Sequence, residues 1–101
     1  MRDRSHDEAM AEVFKKDPQY AIDMLNSILE DGELDELLIT LRQVSLAFGG
    51  SRNVAKKAGV NETQIYRMLS EKGNPGIRNL SAILGAMGMR LAVKPISQHV
   101  A

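Results

Sequence analysis

The chain has 101 residues, no cysteine and a formal net charge of zero, with 44% apolar and 26% charged residues. This size and composition are typical of one globular domain with a thin core, and the absence of cysteine excludes a disulfide framework or a thiolate metal site. No apolar run is long enough to span a membrane, and residues 1–20 lack the apolar centre of a signal peptide. We therefore expect a cytoplasmic protein.

The zero net charge hides two oppositely charged halves. Residues 1–36 contain eleven acidic and four basic residues, a formal charge of −7. Residues 37–101 contain nine basic and two acidic residues, a formal charge of +7. Charge separated in this way predicts two kinds of partner, one of them polyanionic. Two solvated surfaces that merely attract each other are the alternative.

The acidic half and the residues just after it have the apolar periodicity of three helices. The first is short, the second starts at Asp17 and Pro18 as N-cap and first residue and ends at Gly32, and the third ends at Gly49. The apolar stripes of these helices are Ala9, Met10, Val13 and Phe14, then Ala21, Met24, Leu25, Ile28 and Leu29, then Leu34, Leu37, Leu38, Leu41, Val44 and Phe48.

The basic half predicts three further short helices. Residues 51–58 and 62–70 form two of them, and Asn61 with Gln64 predicts a capping box at the start of the second. Asn74 and Pro75 predict the N-cap and first residue of the last helix, which ends at Gly88. This helix is expected to bury Ile77, Leu80, Ile83, Leu84 and Met87.

The remaining segment, residues 89–94, alternates apolar and polar residues apart from one alanine, which predicts a single β-strand. A lone strand leaves its backbone groups unpaired, so this strand is expected to pair with a second copy of the chain or with another protein. The residues predicted for a dimer strand are Met89, Arg90, Leu91, Ala92, Val93 and Lys94.

Residues 51–70 have the spacing of a helix-turn-helix motif. Ala55 is the fifth residue, where two crossing helices leave room for only a small side chain. Gly59 is the ninth, where the turn favours a positive φ. The inward positions are Val54, Ala58, Val60, Ile65 and Met68. An ordinary helical hairpin is the alternative, but it leaves a polar outer face unexplained. That face consists of Ser51, Arg52, Lys56, Asn61, Thr63, Gln64 and Arg67.

The outward residues of this motif are of the types that bind a DNA duplex, in which basic and small polar groups contact phosphates and the second helix reads base edges. The predicted base contacts are Glu62, Thr63, Tyr66 and Arg67. The predicted phosphate contacts are Ser51, Arg52, Lys56, Lys57, Gln64, Lys72 and Arg78. Two alternatives stay open, because Glu62 also suits the dipole at a helix N-terminus and Arg67 also suits a phosphate or free solvent.

Residues 51–70, the Gly-Asn-Pro loop at 73–75 and the segment 88–91 resemble the Xre/Cro-type helix-turn-helix domain. More narrowly, they resemble the HigA-like addiction-module antidote proteins (antitoxins), whose acidic lead-in is similar to residues 14–32. The resemblance covers residues 13–96. It implies an all-α, lambda-repressor-like domain of five to six short helices with a C-terminal β-strand for dimerisation. It also implies a homodimer that binds double-stranded operator DNA, represses its own operon and neutralises a toxin. Such toxins are typically small basic endoribonucleases of the RelE/ParE-like fold.

These observations divide the chain into three parts. Residues 1–32 form an acidic helical segment that is a candidate for binding the basic toxin, because opposite charge speeds encounter. Residues 33–96 form the helix-turn-helix domain with the C-terminal strand, and residues 97–101 form a tail. An acidic helical cap that only packs on the DNA-binding domain is the alternative for the first part.

Two other functions stay open: a stand-alone phage-type repressor without a toxin, and a protein-interaction adaptor that does not bind DNA. We expect no enzymatic activity, no cofactor and no membrane partner. His6 and His99 have no second ligand at metal spacing, so we expect no metal site.

Overall fold

The computed structural model describes residues 2–70 and 72–96, and within them six α-helices follow one another. They are α1 (Arg2–Lys16), α2 (Pro18–Asp31), α3 (Leu34–Ala47), α4 (Ser51–Ala58), α5 (Glu62–Met68) and α6 (Ile77–Ala86). The prediction of an all-α fold with five to six helices is confirmed for these residues. None of these helices has the length and apolar character needed to cross a lipid bilayer.

The junction of α1 and α2 forms as the sequence predicts. Asp17 is the N-cap, and its Oδ1 accepts a hydrogen bond from the backbone N–H of Tyr20 at 3.1 Å. The Tyr20 ring packs against the ring of Phe14 with 5.7 Å between the centroids, within the range of favourable aromatic pairs. Because Phe14 is completely buried, this corner attaches α1 and α2 to the interior of the protein.

One apolar core joins all six helices. It includes Phe14, Ala21 and Leu25 from the acidic segment together with residues from every later helix. The helix α3 is central, since it contacts α1, α2 and α4. The remaining members of the core are Leu37, Leu38, Leu41, Val44, Val54, Ala55, Ile65, Leu69, Ile83, Leu84 and Met87. The acidic segment therefore packs on the basic half through shared apolar contacts.

Five apolar residues of the predicted stripes lie at the surface. Val13, Leu29 and Leu34 are close to half exposed, Ile77 is three-quarters exposed, and Ala9 is also exposed. Except for Ala9, each lies in the first or the last turn of its helix. Periodicity identifies the apolar face of a helix but not the point at which the covering helix ends.

The helix α6 begins later than predicted. Its N-cap is Gly76, so Asn74 and Pro75 lie in the loop that precedes it. This loop passes very close to the end of α5, because the N–H of Gly73 donates to the Ser70 carbonyl at 2.8 Å. A Cβ atom on Gly73 would collide with the carbonyl oxygen of Met68. The chain must first pass the end of α5, so α6 begins after Gly76 and not after the predicted N-cap Asn74.

The prediction of a C-terminal β-strand is wrong for the part of the chain that the structure describes. A strand requires a neighbouring strand to complete its hydrogen-bond ladder, and residues 2–70 and 72–96 supply none. Instead, the N–H of Met89 donates to the Leu84 carbonyl at 2.8 Å, and Met89 and Leu91 pack on the core. Lys94 forms an ion pair with Glu30 of α2. The residues that adopt this irregular conformation instead of a strand are Met89, Arg90, Leu91, Ala92, Val93 and Lys94.

Candidate nucleic-acid interface

The helix α4 is fixed by two small apolar residues at the predicted positions. Val54 and Ala55 are almost fully buried, so both face the core as the sequence predicts. Arg52, Lys56 and Lys57 are exposed. The helix therefore turns its apolar side inward and leaves its basic side chains available to a partner.

The turn after α4 contains the left-handed residue that the sequence predicts. Gly59 has a φ of 78°, and its N–H donates to the Lys56 carbonyl. The N–H of Val60 donates to the Ala55 carbonyl at 3.1 Å. This arrangement resembles the glycine caps that commonly end helices, and it turns the chain sharply into α5.

Replacement of Gly59 by alanine is expected to lower the free energy of unfolding by about 1 kcal/mol. The reason is the positive φ, since a Cβ atom meets no neighbour there but strains the left-handed backbone. Gly85→Ala in α6 is the matched control, because Gly85 is helical and its added Cβ also meets open space. That variant is expected to be more stable by about 0.5–1 kcal/mol. Urea denaturation measures the free energy of unfolding of both variants. Changes of the same sign in the two variants would contradict the prediction.

The start of α5 is fixed by the predicted capping box. The N–H of Gln64 donates to Asn61 Oδ1 at 2.8 Å, and the N–H of Asn61 donates to Gln64 Oε1 at 3.2 Å. The carbonyl oxygen of the Gln64 side chain is therefore engaged in the cap. Its amide nitrogen is the atom left for a phosphate, consistent with the predicted role of this residue.

The helix α5 buries one side and exposes the other. Ile65 is completely buried and the C-cap residue Leu69 nearly so. The four predicted base-contact residues are at positions one, two, five and six of the helix, a spacing that places them on one side. Tyr66 is 61% exposed. The exposed or half-exposed residues of this side are Glu62, Thr63, Tyr66 and Arg67.

The two helices are joined at their N-termini by an ion pair on the exposed side. Arg52 Nε donates to Glu62 Oε1 at 3.4 Å. The same two residues line an open cleft of about 400 Å³ together with Ser51, Tyr66 and Asp7 of α1. The structure thus brings four predicted DNA contacts into one cleft beside α5.

The other predicted phosphate contacts lie elsewhere on the surface. Lys56 and Lys57 are on the last turn of α4, and Arg78 is in the first turn of α6. Lys72 lines a separate cleft that includes Asp35 of α3. These four side chains are exposed, and none of them lines the cleft beside α5.

Sequence reasoning missed one residue that positions α5. The guanidinium of Arg42, on α3, donates to the carbonyl oxygen of Leu69 at the C-cap of α5. A cation at this end satisfies a carbonyl that has no partner within the helix and favours the helix dipole. Arg42 is the only basic residue of α3, which was the available signal, but its partner is 27 residues away in the chain.

A family model described as "Probable addiction module antidote protein" matches residues 6–95. Searches of curated proteins and of solved structures found no match. The matched range contains α2 to α6 and most of α1, so both the acidic segment and the α4–α5 pair lie within it. On this evidence the chain belongs to the family of probable addiction module antidote proteins.

Proposed function

We infer that this antidote protein is a sequence-specific DNA-binding repressor of the Xre/Cro helix-turn-helix type and of the HigA-like subgroup. It acts in the cytoplasm without catalysing a reaction, represses its own operon, and neutralises a basic toxin of the RelE/ParE-like fold. One observation carries the DNA-binding part of the proposal. The α4–α5 pair buries Ala55 and Ile65, turns at a left-handed Gly59, and exposes four hydrogen-bonding side chains along one side of α5.

The exposed basic side chains from α4 to α6 support a duplex as the ligand. Five exposed basic side chains lie on α4, on α6 or in the loop between α5 and α6, and Arg67 adds a sixth on α5 itself. Neutralisation of phosphates by lysine and arginine supplies most of the non-specific affinity of DNA-binding proteins. The side chains on α5 then supply the contacts that distinguish bases. The five residues outside α5 are Arg52, Lys56, Lys57, Lys72 and Arg78.

The acidic segment supports a basic toxin as the second ligand. An enzyme that cuts RNA needs a positive surface to hold its substrate, and an opposite charge on the antidote accelerates their encounter. Nine acidic side chains on α1, α2 and the first turn of α3, or at the N-caps of α2 and α3, are exposed. They are Glu8, Glu12, Asp17, Asp23, Glu30, Asp31, Glu33, Asp35 and Glu36.

A homodimer completes the proposal, because helix-turn-helix repressors bind two half-sites about one helical turn apart and their symmetry matches that of the operator. The described chain has two fully exposed apolar residues, Val93 and Ile96, which suit a protein contact more than free solvent. Sedimentation of the full chain tests this part. A monomer at every concentration, with or without DNA, would contradict it.

The test of the function uses the DNA immediately upstream of the gene and the product of the neighbouring gene. The full chain is expected to bind that duplex, with an affinity that falls by about 10³-fold between about 50 and 200 mM salt if six or more phosphates are neutralised. Co-expression followed by pull-down is expected to recover a small basic protein. Binding to DNA without any toxin favours the stand-alone repressor, and binding to a protein without DNA favours the adaptor.

A further inference from the structure

The ion pair between Arg52 and Glu62 lies on the side of the protein that is expected to meet DNA. Arg52 is the second residue of α4 and Glu62 the first of α5, so the pair connects the N-termini of the two helices. Nε and Oε1 are 3.4 Å apart, and the two side chains are 87% and 36% exposed. The exposed side of Tyr66 borders the same cleft.

Glu62 is unusual in this position because it is the only acidic residue of α4 and α5, which carry four basic residues. A carboxylate near DNA is repelled by phosphates and by the acceptor atoms of the bases. The N-terminus of α5 already has the Asn61 cap, so Glu62 is not needed to satisfy its backbone donors. The negative charge suits the dipole of α5 in the free protein, but in a complex with DNA it needs a hydrogen-bond donor.

We propose that Arg52 and Glu62 form an exchangeable pair that sets base specificity: Arg52 leaves Glu62 for a DNA phosphate, and the freed carboxylate then tolerates only a base with an exocyclic amino group in the major groove. This inference rests on the proposed DNA binding. In this inference Glu62 rejects wrong sequences. Arg52 binds Glu62 in the free protein and a DNA phosphate in the complex.

The first step of the exchange is easy because exposed ion pairs of this kind contribute little to stability. A duplex presents one phosphate charge per about 1.7 Å of its axis, and the planar arginine side chain matches phosphate geometry well. DNA therefore competes effectively with one carboxylate for Arg52.

The second step discriminates because an ionised carboxylate accepts hydrogen bonds but donates none. In the major groove, cytosine and adenine present an amino donor, whereas guanine and thymine present acceptor atoms and no hydrogen-bond donor. In a cognate sequence, the amino group of cytosine or adenine replaces Arg52 as the hydrogen-bond donor to Glu62. The acceptor atoms of the other bases repel the carboxylate. Rejection of the wrong partner in this way raises specificity without raising affinity.

The experiment selects duplexes from a randomised library with the full-length wild-type chain and compares one selected duplex with an unselected duplex of random sequence. Glu62→Gln is expected to bind the unselected duplex more tightly, because the repelling charge is gone and Arg52 is free. The ratio of the two affinities is expected to fall at least about fivefold, the lower end of the discrimination of one base contact. A repeated selection with the variant is expected to lose a preference for cytosine or adenine at one position.

Glu30→Gln is the matched control, since it removes a carboxylate of α2 from its ion pair with Lys94 and is expected to leave the affinity ratio unchanged. Arg52→Gln is expected to weaken binding to the unselected duplex. The loss of affinity is expected to be larger when Glu62→Gln is already present, because Arg52 then binds phosphate without first breaking its ion pair. The inference would be overturned, with DNA binding left intact, if the effects of Arg52→Gln and Glu62→Gln on affinity were additive. It would also be overturned if Glu62→Gln left the ratio of the two duplex affinities unchanged. A wild-type chain that selects no duplex would instead contradict the proposed function and the inference with it.

Discussion

Replacement of Phe14 by alanine is expected to lower the free energy of unfolding by about 3–5 kcal/mol, as for other buried phenylalanines. Phe14 is completely buried, packs on the Tyr20 ring and belongs to the core that α3 to α6 also form. The loss is a large part of the stability of a small domain, typically about 5–15 kcal/mol. Urea denaturation followed by circular dichroism measures it.

The neighbouring substitution Val13→Ala is the control. Val13 is 42% exposed, so its shortening removes less buried surface and is expected to cost under about 1 kcal/mol. Because the acidic segment shares its core with the basic half, the Phe14 variant is expected to unfold in one transition. Two separate transitions, with the basic half unaffected, would show that residues 1–32 fold apart from the rest.

Replacement of Arg67 by alanine is expected to weaken binding to a selected operator duplex by about 1–3 kcal/mol, roughly five- to 150-fold. Arg67 is exposed on the same side of α5 as Thr63, and its side chain has the reach and the planar donors to pair with a guanine. Binding to a duplex of random sequence is expected to weaken less, because that duplex offers only phosphates. Fluorescence anisotropy at one fixed salt concentration measures both.

Arg90→Ala removes the same charge from an exposed position in the C-terminal segment, outside the α4–α5 pair. Its effect on operator affinity is expected to be small, and equal for the two duplexes. If Arg67→Ala weakens both duplexes equally, Arg67 binds a phosphate and not a base. An isotherm identical to that of the wild type would exclude Arg67 from the interface.

The features of the α4–α5 pair that sequence reasoning predicted are all encoded over short distances. The buried Ala55, the left-handed Gly59 and the reciprocal cap of Asn61 and Gln64 each depend on residues within one or two turns. Local backbone preference and cap chemistry act at this range, so the sequence is sufficient to reveal them. The exposure of Thr63 and Arg67 follows from the same periodicity.

The features that were wrong or missed depend on residues far apart in the chain. Arg42 caps the end of α5 from another helix, and no local pattern identifies that carbonyl as its partner. Residues 89–94 alternate as a strand does, yet the described chain has no second strand for them to join. Gly73 must pass the Met68 carbonyl, which moves the start of α6 beyond the Asn74 signal.

The sequence by itself determined the number and order of the helices, the turn at Gly59, the opposite charges of the two halves and the polar side chains that α5 exposes. These depend on periodicity, capping and charge, which are properties of neighbouring residues. Only the tertiary structure decided that Phe14 shares a core with the basic half, that Arg42 holds the end of α5, and that Arg52 meets Glu62. Contacts of this kind form when packing brings distant segments together, so no pattern among neighbouring residues predicts them.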